Sequence, residues 1–197
     1  MSRVPLLLSS LTFVLLALTP ALGAGQQRSR ARMLGIAPGT LQPGSLNSIT
    51  DVPGVRVGQT TIMEGDSVRT GITAIIPHAG NLFHERVPAA LYVGNGFGKL
   101  VGTTQLVELG ELETPVLLTC TLCVWRAADA LADYLLKQPG MAQVRSINPV
   151  VGETNDGLLN NIRERPIQPG AVRQAIIGAD RTVAEGSVGA GTGTIAF

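Results

Sequence analysis

The chain has 197 residues, 45% apolar and 15% charged, a composition that suits one globular domain with a core of ordinary size. Fifteen basic and fourteen acidic residues leave it near neutrality, and no Lys/Arg cluster interleaved with aromatics marks a nucleic-acid groove, so no nucleic-acid partner is expected. Twenty-four glycines and twelve prolines, spread without a fixed period, exclude repeat and collagen architectures and predict short strands joined by tight turns.

The first residues form a separate unit. Arg3 precedes an apolar stretch that is broken by Pro20 and ends in small residues, which is the layout of a signal peptide over residues 1–23. Ala21 and Gly23 take the small-residue positions ahead of a cut near Ala24, a pattern that favours cleavage over an uncut membrane anchor. Export to the periplasm or the medium follows. Residues 24–47, polar and basic at their start, read as a flexible lead into a domain over 48–197.

Along that domain, Val55, Val57 and Gln59 alternate after a Pro-Gly turn as a half-buried strand does, and "TGITAIIP" supplies a second strand. "AALYV" predicts a third, running into a glycine-rich bend headed by Asn95. Residues 99–109 read as a helix stopped by Gly110, and "TPVLLTC" as a buried strand. In "VWRAADALADYLLK", Val124, Ala127, Ala128, Leu131 and Leu135 share one helical face, opposite Arg126, Asp129, Asp133 and Lys137. "VRSINPVVG" reads as a strand and "QPGAVRQAIIGADR" as a helix opened by Pro169 and Gly170. The glycines of "GAGTGT" alternate as strand glycines do, and the run to Phe197 has the look of a strand. Strands alternating with one-sided helices imply a layered α/β fold.

Most features that invite chemistry have a plainer reading. "GAGTGT" lacks the following helix and the lysine of a phosphate loop, so its glycines mark close approach of another backbone or a substrate. Ser187 lacks the strand-turn-helix setting of a nucleophile elbow. His78 and His84 sit in one loop without a third ligand for a metal. Cys120 and Cys123 in "CTLC" read as small buried residues or a local disulfide. The exception is "PVVGETNDGLLNN", where Glu153, Asn155, Asp156, Asn160 and Asn161 gather behind an apolar run. Amide side chains can donate to developing negative charge, as acyl transfer requires, although "TNDG" also satisfies an ordinary turn.

Five blocks in order, "ITDVPGVRVGQTTI", "RTGITAIIP", "NGFGKLVG", "INPVVGETNDGLLNNIRERP" and "AEGSVGAGTGT", resemble the DmpA-type aminopeptidases, the family of L-aminopeptidase/D-esterases and β-peptidyl aminopeptidases. The resemblance implies an αββα sandwich of the N-terminal-nucleophile-like type, shared with ornithine acetyltransferases, and a precursor that cuts itself before a nucleophilic serine. It implies a short peptide, amide or ester substrate with a free amino terminus, no metal or other cofactor, and assembly into homo-oligomers. Carried onto this sequence, it places the oxyanion amide at Asn160, with Asn155 second, has Glu153 and Asp156 order the turn, and sets Asn95 and Gly96 along the pocket with Glu153.

The departures are specific. Relatives tend to read "LTNTLSVG" where this chain has "LTCTLCVW", and Trp125 in place of a glycine bars any transfer of substrate preference. In the family the nucleophilic serine, with its supporting serine and glutamate, lies downstream of the "GAGTG" segment, in the β-chain released by self-cleavage. The expectation is therefore the front, α-chain part of the domain, incomplete at its C-terminus, whose β-chain is missing; the competing reading is a non-catalytic binding or assembly module that keeps the pocket. N-terminal sequencing of the exported protein is expected to find a start near Ala24.

Overall fold

A computed structural model describes residues 29–195; the proposed signal peptide and the last two residues lie outside the described residues. Strands β1 (Arg56–Glu64) and β2 (Val68–Ile76) form a hairpin that turns at Gly65, whose φ of 48° is left-handed. Two short strands, β3 (Val87–Pro88) and β4 (Glu111–Leu112), pair with each other around helix α1 (Thr103–Leu109). Strand β5 (Val116–Cys120) leads into helix α2 (Val124–Leu136), and strand β6 (Val150–Thr154) is followed by helix α3 (Pro169–Ile177). The main sheet has the order β1-β2-β5-β6, with β5 and β6 its parallel pair.

Period-2 burial decides which face of this sheet meets the helices. Ile72, Ala74, Leu117 and Val151 are fully buried and pack with Val124, Ala127 and Leu131 of α2 and Val172 and Ala175 of α3. Helix α2 buries the face expected from its spacing, with Ala128 and Leu135 at its margin. Pro169 opens α3, where its missing N–H costs nothing. Gly58 of β1 lies directly beneath α3, and a Cβ there would overlap the Ala175 carbonyl.

The structure corrects four expectations. Residues 89–93 form no strand: the pairing of β3 stops at Pro88, Tyr92 is 91% exposed, and Val101 takes the edge of β6 through an antiparallel bridge to Val151. The helix expected from 99 begins at Thr103, because Lys99 (φ 50°) and Gly102 (φ 88°) are left-handed. The strand expected over 144–152 begins at Val150, after Pro149. The terminal glycines make a turn of 3-10 helix, Gly189–Gly191, with Gly189 and Gly193 at positive φ and Ser187 in a bend. That turn lies on the sheet face opposite the helices. Gly189 N–H donates to Thr61 Oγ1 at 2.8 Å and Ala190 N–H to Thr73 Oγ1 at 3.1 Å, so threonine hydroxyls accept bonds that a strand would have made to a neighbour. The close backbone approach anticipated for the glycines is present, since a Cβ on Gly193 would overlap the Arg69 carbonyl.

Residues 29–47 are tied down at Arg30 and at Ser45–Leu46. Arg30 donates to the carbonyls of Leu46 and Asn47 at 2.6 and 2.7 Å and pairs with Glu185. Asp51 accepts from Leu46 N–H at 2.8 Å and Ser48 N–H at 3.2 Å, and these bonds hold its carboxyl below its ordinary value.

Gly58→Ala is expected to cost about 3 kcal/mol, because α3 must lift from β1 to admit the methyl group. Leu131→Ala is expected to cost about 2–5 kcal/mol through the cavity it leaves. Urea denaturation measures both.

Candidate active site

Because β5 and β6 run parallel in register, from Val116↔Val150 to Cys120↔Thr154, the chain leaves both strands at the same end of the sheet. Thr121 and Leu122 emerge from one strand beside Asn155 and Asp156 from the other. The antiparallel β2 brings its first residues, 68–70, to that same end. Crevices outside the carboxyl ends of parallel strands are where open α/β sheets place their ligands.

Asp156 is the centre of the cluster. It is 1% exposed; Oδ1 accepts from Thr121 N–H at 3.2 Å and Oδ2 from the Asn160 amide at 3.0 Å. Burial raises its carboxyl above the ordinary value, against the opposing pull of these donors. Asn160, 5% exposed, also accepts from Arg69 N–H at 3.1 Å through Oδ1, and Asn161 N–H donates to Ser67 O at 2.8 Å. Residues 156–161 are thus sewn across the end of the β1–β2 hairpin.

Asn155 differs from Asn160 in what it leaves open. It is exposed, its Oδ1 accepts from Gly157 N–H at 3.2 Å, and its Nδ2 has no partner among the described residues. Asn160, placed first by the family resemblance, has its carbonyl and one amide hydrogen engaged in holding the turn.

Glu153 has a side chain only 3% exposed and is doubly held: Lys99 Nζ lies 2.7 Å from Oε2, and the Thr121 hydroxyl donates to Oε1 at 2.6 Å. Lys99 also sits over the Phe97 ring, 4.4 Å from its centroid. Its ion pair anchors the glycine-rich bend, in which Asn95 Oδ1 accepts from Phe97 N–H at 3.0 Å. Asn95 and Gly96 line a cavity of about 350 Å³ together with Tyr92, Lys99 and Thr103. Glu153 therefore ties the Asn95 loop to the end of the sheet, with both oxygens already bonded.

Sequence reading missed Thr121 and Lys99. Thr121 lies inside "CTLC", where the cysteines draw notice first. Lys99 faces Glu153 across 54 residues, a pairing that no local spacing reveals. The histidines make structural bonds: within its loop His78 accepts from Gly80 N–H at 3.0 Å and lies 2.7 Å from Glu85 O, and His84 lies 3.1 Å from Gly140 O, beyond the end of α2. Cys120 and Cys123 form a disulfide with both residues fully buried, the second of the two readings left open by the sequence.

The layered α/β arrangement is shared with solved structures. The chain superposes on the PH0078 protein of Pyrococcus horikoshii OT3 with a TM-score of 0.81 at 46% identity, covering 86% of this chain and 51% of that one. It superposes on the L-aminopeptidase D-Ala-esterase/amidase of Ochrobactrum anthropi, described as a variant of the Ntn hydrolase fold, with a TM-score of 0.76 at 34% identity, covering 85% and 49%. The fold is thus of the N-terminal-nucleophile-hydrolase type. Residues 47–197 match the model of peptidase family S58, and the chain belongs to that family. It is 37% identical over 185 residues to the β-peptidyl aminopeptidase BapA of Sphingosinicella microcystinivorans, a match covering 88% of this chain and 45% of the relative. The chain spans about half the length of the curated relatives it matches.

With its folded-state carboxyl raised, Asp156 contributes stability that is fully present below the ordinary carboxylate value and lost as pH rises through the raised one. Asp156→Asn removes that titration. The stability difference between wild type and D156N, from urea denaturation, is expected to move against the wild type between pH 4 and pH 7; a difference that does not vary with pH contradicts the assignment.

Proposed function

We propose that this chain forms the oxyanion side of the active site of a self-processing serine aminopeptidase that hydrolyses short peptides, amides or esters with a free amino terminus. The observation that carries the reading is the convergence of Asn155, Asp156, Thr121 and Glu153 at the ends of the two parallel strands, in a chain of family S58. In this scheme the nucleophilic serine comes from the part of the relatives' length that the chain does not span, and is freed as the N-terminus of a β-chain by cleavage of the precursor. Its hydroxyl oxygen attacks the substrate carbonyl and its α-amine takes the proton. The negative charge that develops on the carbonyl oxygen is met by an amide N–H.

Asn155 is the donor in this scheme, because its Nδ2 is exposed and without a partner among the described residues, while Asn160 is buried with one amide hydrogen on Asp156 and its oxygen on Arg69 N–H. Asn160 and Asp156 fix the turn from which Asn155 projects. Asn95 and Gly96 border the substrate pocket, and the Lys99–Glu153 ion pair sets their distance from the oxyanion position. Export belongs to the same reading, supported by the N-terminal sequence and by the disulfide, which an oxidising compartment preserves. Assembly into homo-oligomers is part of it as well.

The test combines the chain, without residues 1–23, with the β-segment of a relative, and follows release of p-nitroaniline from free-amino aminoacyl anilides. Activity is expected on complementation and not from the chain alone. Asn155→Ala is expected to lower kcat about 100-fold with little change in KM. Asn160→Ala is expected to lower stability by about 1–3 kcal/mol, by leaving buried partners unsatisfied. Hydrolysis by the chain alone, or an unchanged kcat in N155A, overturns the scheme.

A further inference from the structure

Cys120 ends β5 and Cys123 precedes the first residue of α2, so their disulfide closes a four-residue turn, with the two Cα atoms 5.2 Å apart. Cys123 N–H donates to Cys120 O at 3.0 Å, and Leu122, third in the turn, has φ of +66°. A turn with that geometry calls for glycine at its third position, and a leucine there resists the left-handed conformation. Arg165 Nε adds one bond to Leu122 O at 3.0 Å.

The other residue between the two cysteines is Thr121. Its N–H donates to Asp156 and its hydroxyl to Glu153, the two carboxylates that bracket Asn155 in sequence. Thr154, immediately before Asn155, lies 3.1 Å from Thr119 O through its own hydroxyl. The side chains on both sides of Asn155 are thus fastened at the end of β5, and Thr121 makes two of these three bonds.

We infer that the Cys120–Cys123 disulfide is a positioning device for this site: it holds Leu122 in its unfavourable conformation and so keeps Thr121 against Asp156 and Glu153, fixing where Asn155 points. This rests on the active-site reading above. Both cysteines are fully buried, so a reductant reaches the bond only when the chain opens, which marks a fixed clamp and sets it apart from a redox-active pair.

The full chain is unfolded and reduced with a phosphine, each bridge giving two thiols and one phosphine oxide, then refolded under reductant and compared with the oxidised chain by amide hydrogen exchange. Thr121 N–H is expected to exchange about tenfold faster or more in the reduced chain, given the bias of a non-glycine residue against the left-handed region. The Asp156 carboxyl is expected to titrate higher still once that donor loosens. Leu122→Gly, which adopts the turn freely, is expected to restore most of the protection without the bond. C120A/C123A in the L122G background repeats the comparison without relying on reduced wild-type chain. Unchanged Thr121 exchange in a chain with both thiols free, or no recovery in L122G, overturns the inference. Complemented hydrolysis is assayed on the oxidised sample; its absence counts against the aminopeptidase reading alone, while the exchange data still decide the clamp.

Discussion

The parallel pairing of β5 with β6 is the constraint on which the rest depends. Parallel strands need a long crossover, and here α2 supplies it, covering the sheet with its apolar face as it returns. The same pairing forces both strands to end side by side. A sheet made only of hairpins would have separated residues 121 and 155, and the polar cluster could not have formed.

The cluster also explains how a chain with few charges keeps carboxylates indoors. Asp156 and Glu153 are each surrounded by donors from other elements: a strand end, a left-handed lysine, a neighbouring amide. Burying a charge is costly unless it is paired and hydrogen-bonded: Glu153 is both, whereas Asp156 has hydrogen-bond donors but no cation beside it among the described residues, and burial raises its carboxyl. The arrangement leaves the side-chain amide Nδ2 of Asn155 unengaged among the described residues.

How much of this was legible in the sequence follows from how local each signal is. Helix α2 was readable because its apolar face repeats within a few residues, and α1 stopped where Gly110 said it would. The motif over 149–161 was readable as a gathering of amides and carboxylates. The hydrogen bonds that hold Asn160 and Asp156 in place were not, because they come from Arg69 and Thr121, both remote in sequence. Residues 89–93 misled because an apolar run says nothing about whether a partner strand is free, and the edge of β6 was taken by Val101. The terminal glycines misled in a related way: alternation suits a strand, but Thr61 and Thr73 offered hydroxyl acceptors that favoured a turn. Family resemblance reached further than any single pattern, since it weighed five blocks at once.

The glycine-rich turn at 189–193 is held to the sheet by threonine hydroxyls and backbone amides, with Gly189, Ala190 and Thr192 buried against it. Bonds of that kind add little to the surface exposed on opening, and it is this surface that couples unfolding to denaturant. Opening this five-residue turn exposes far less surface than opening the core, so such a local event responds to urea less steeply than global unfolding does. The two parts of one domain would then answer to different variables, the core to solvent composition and the turn to whatever competes for a threonine hydroxyl.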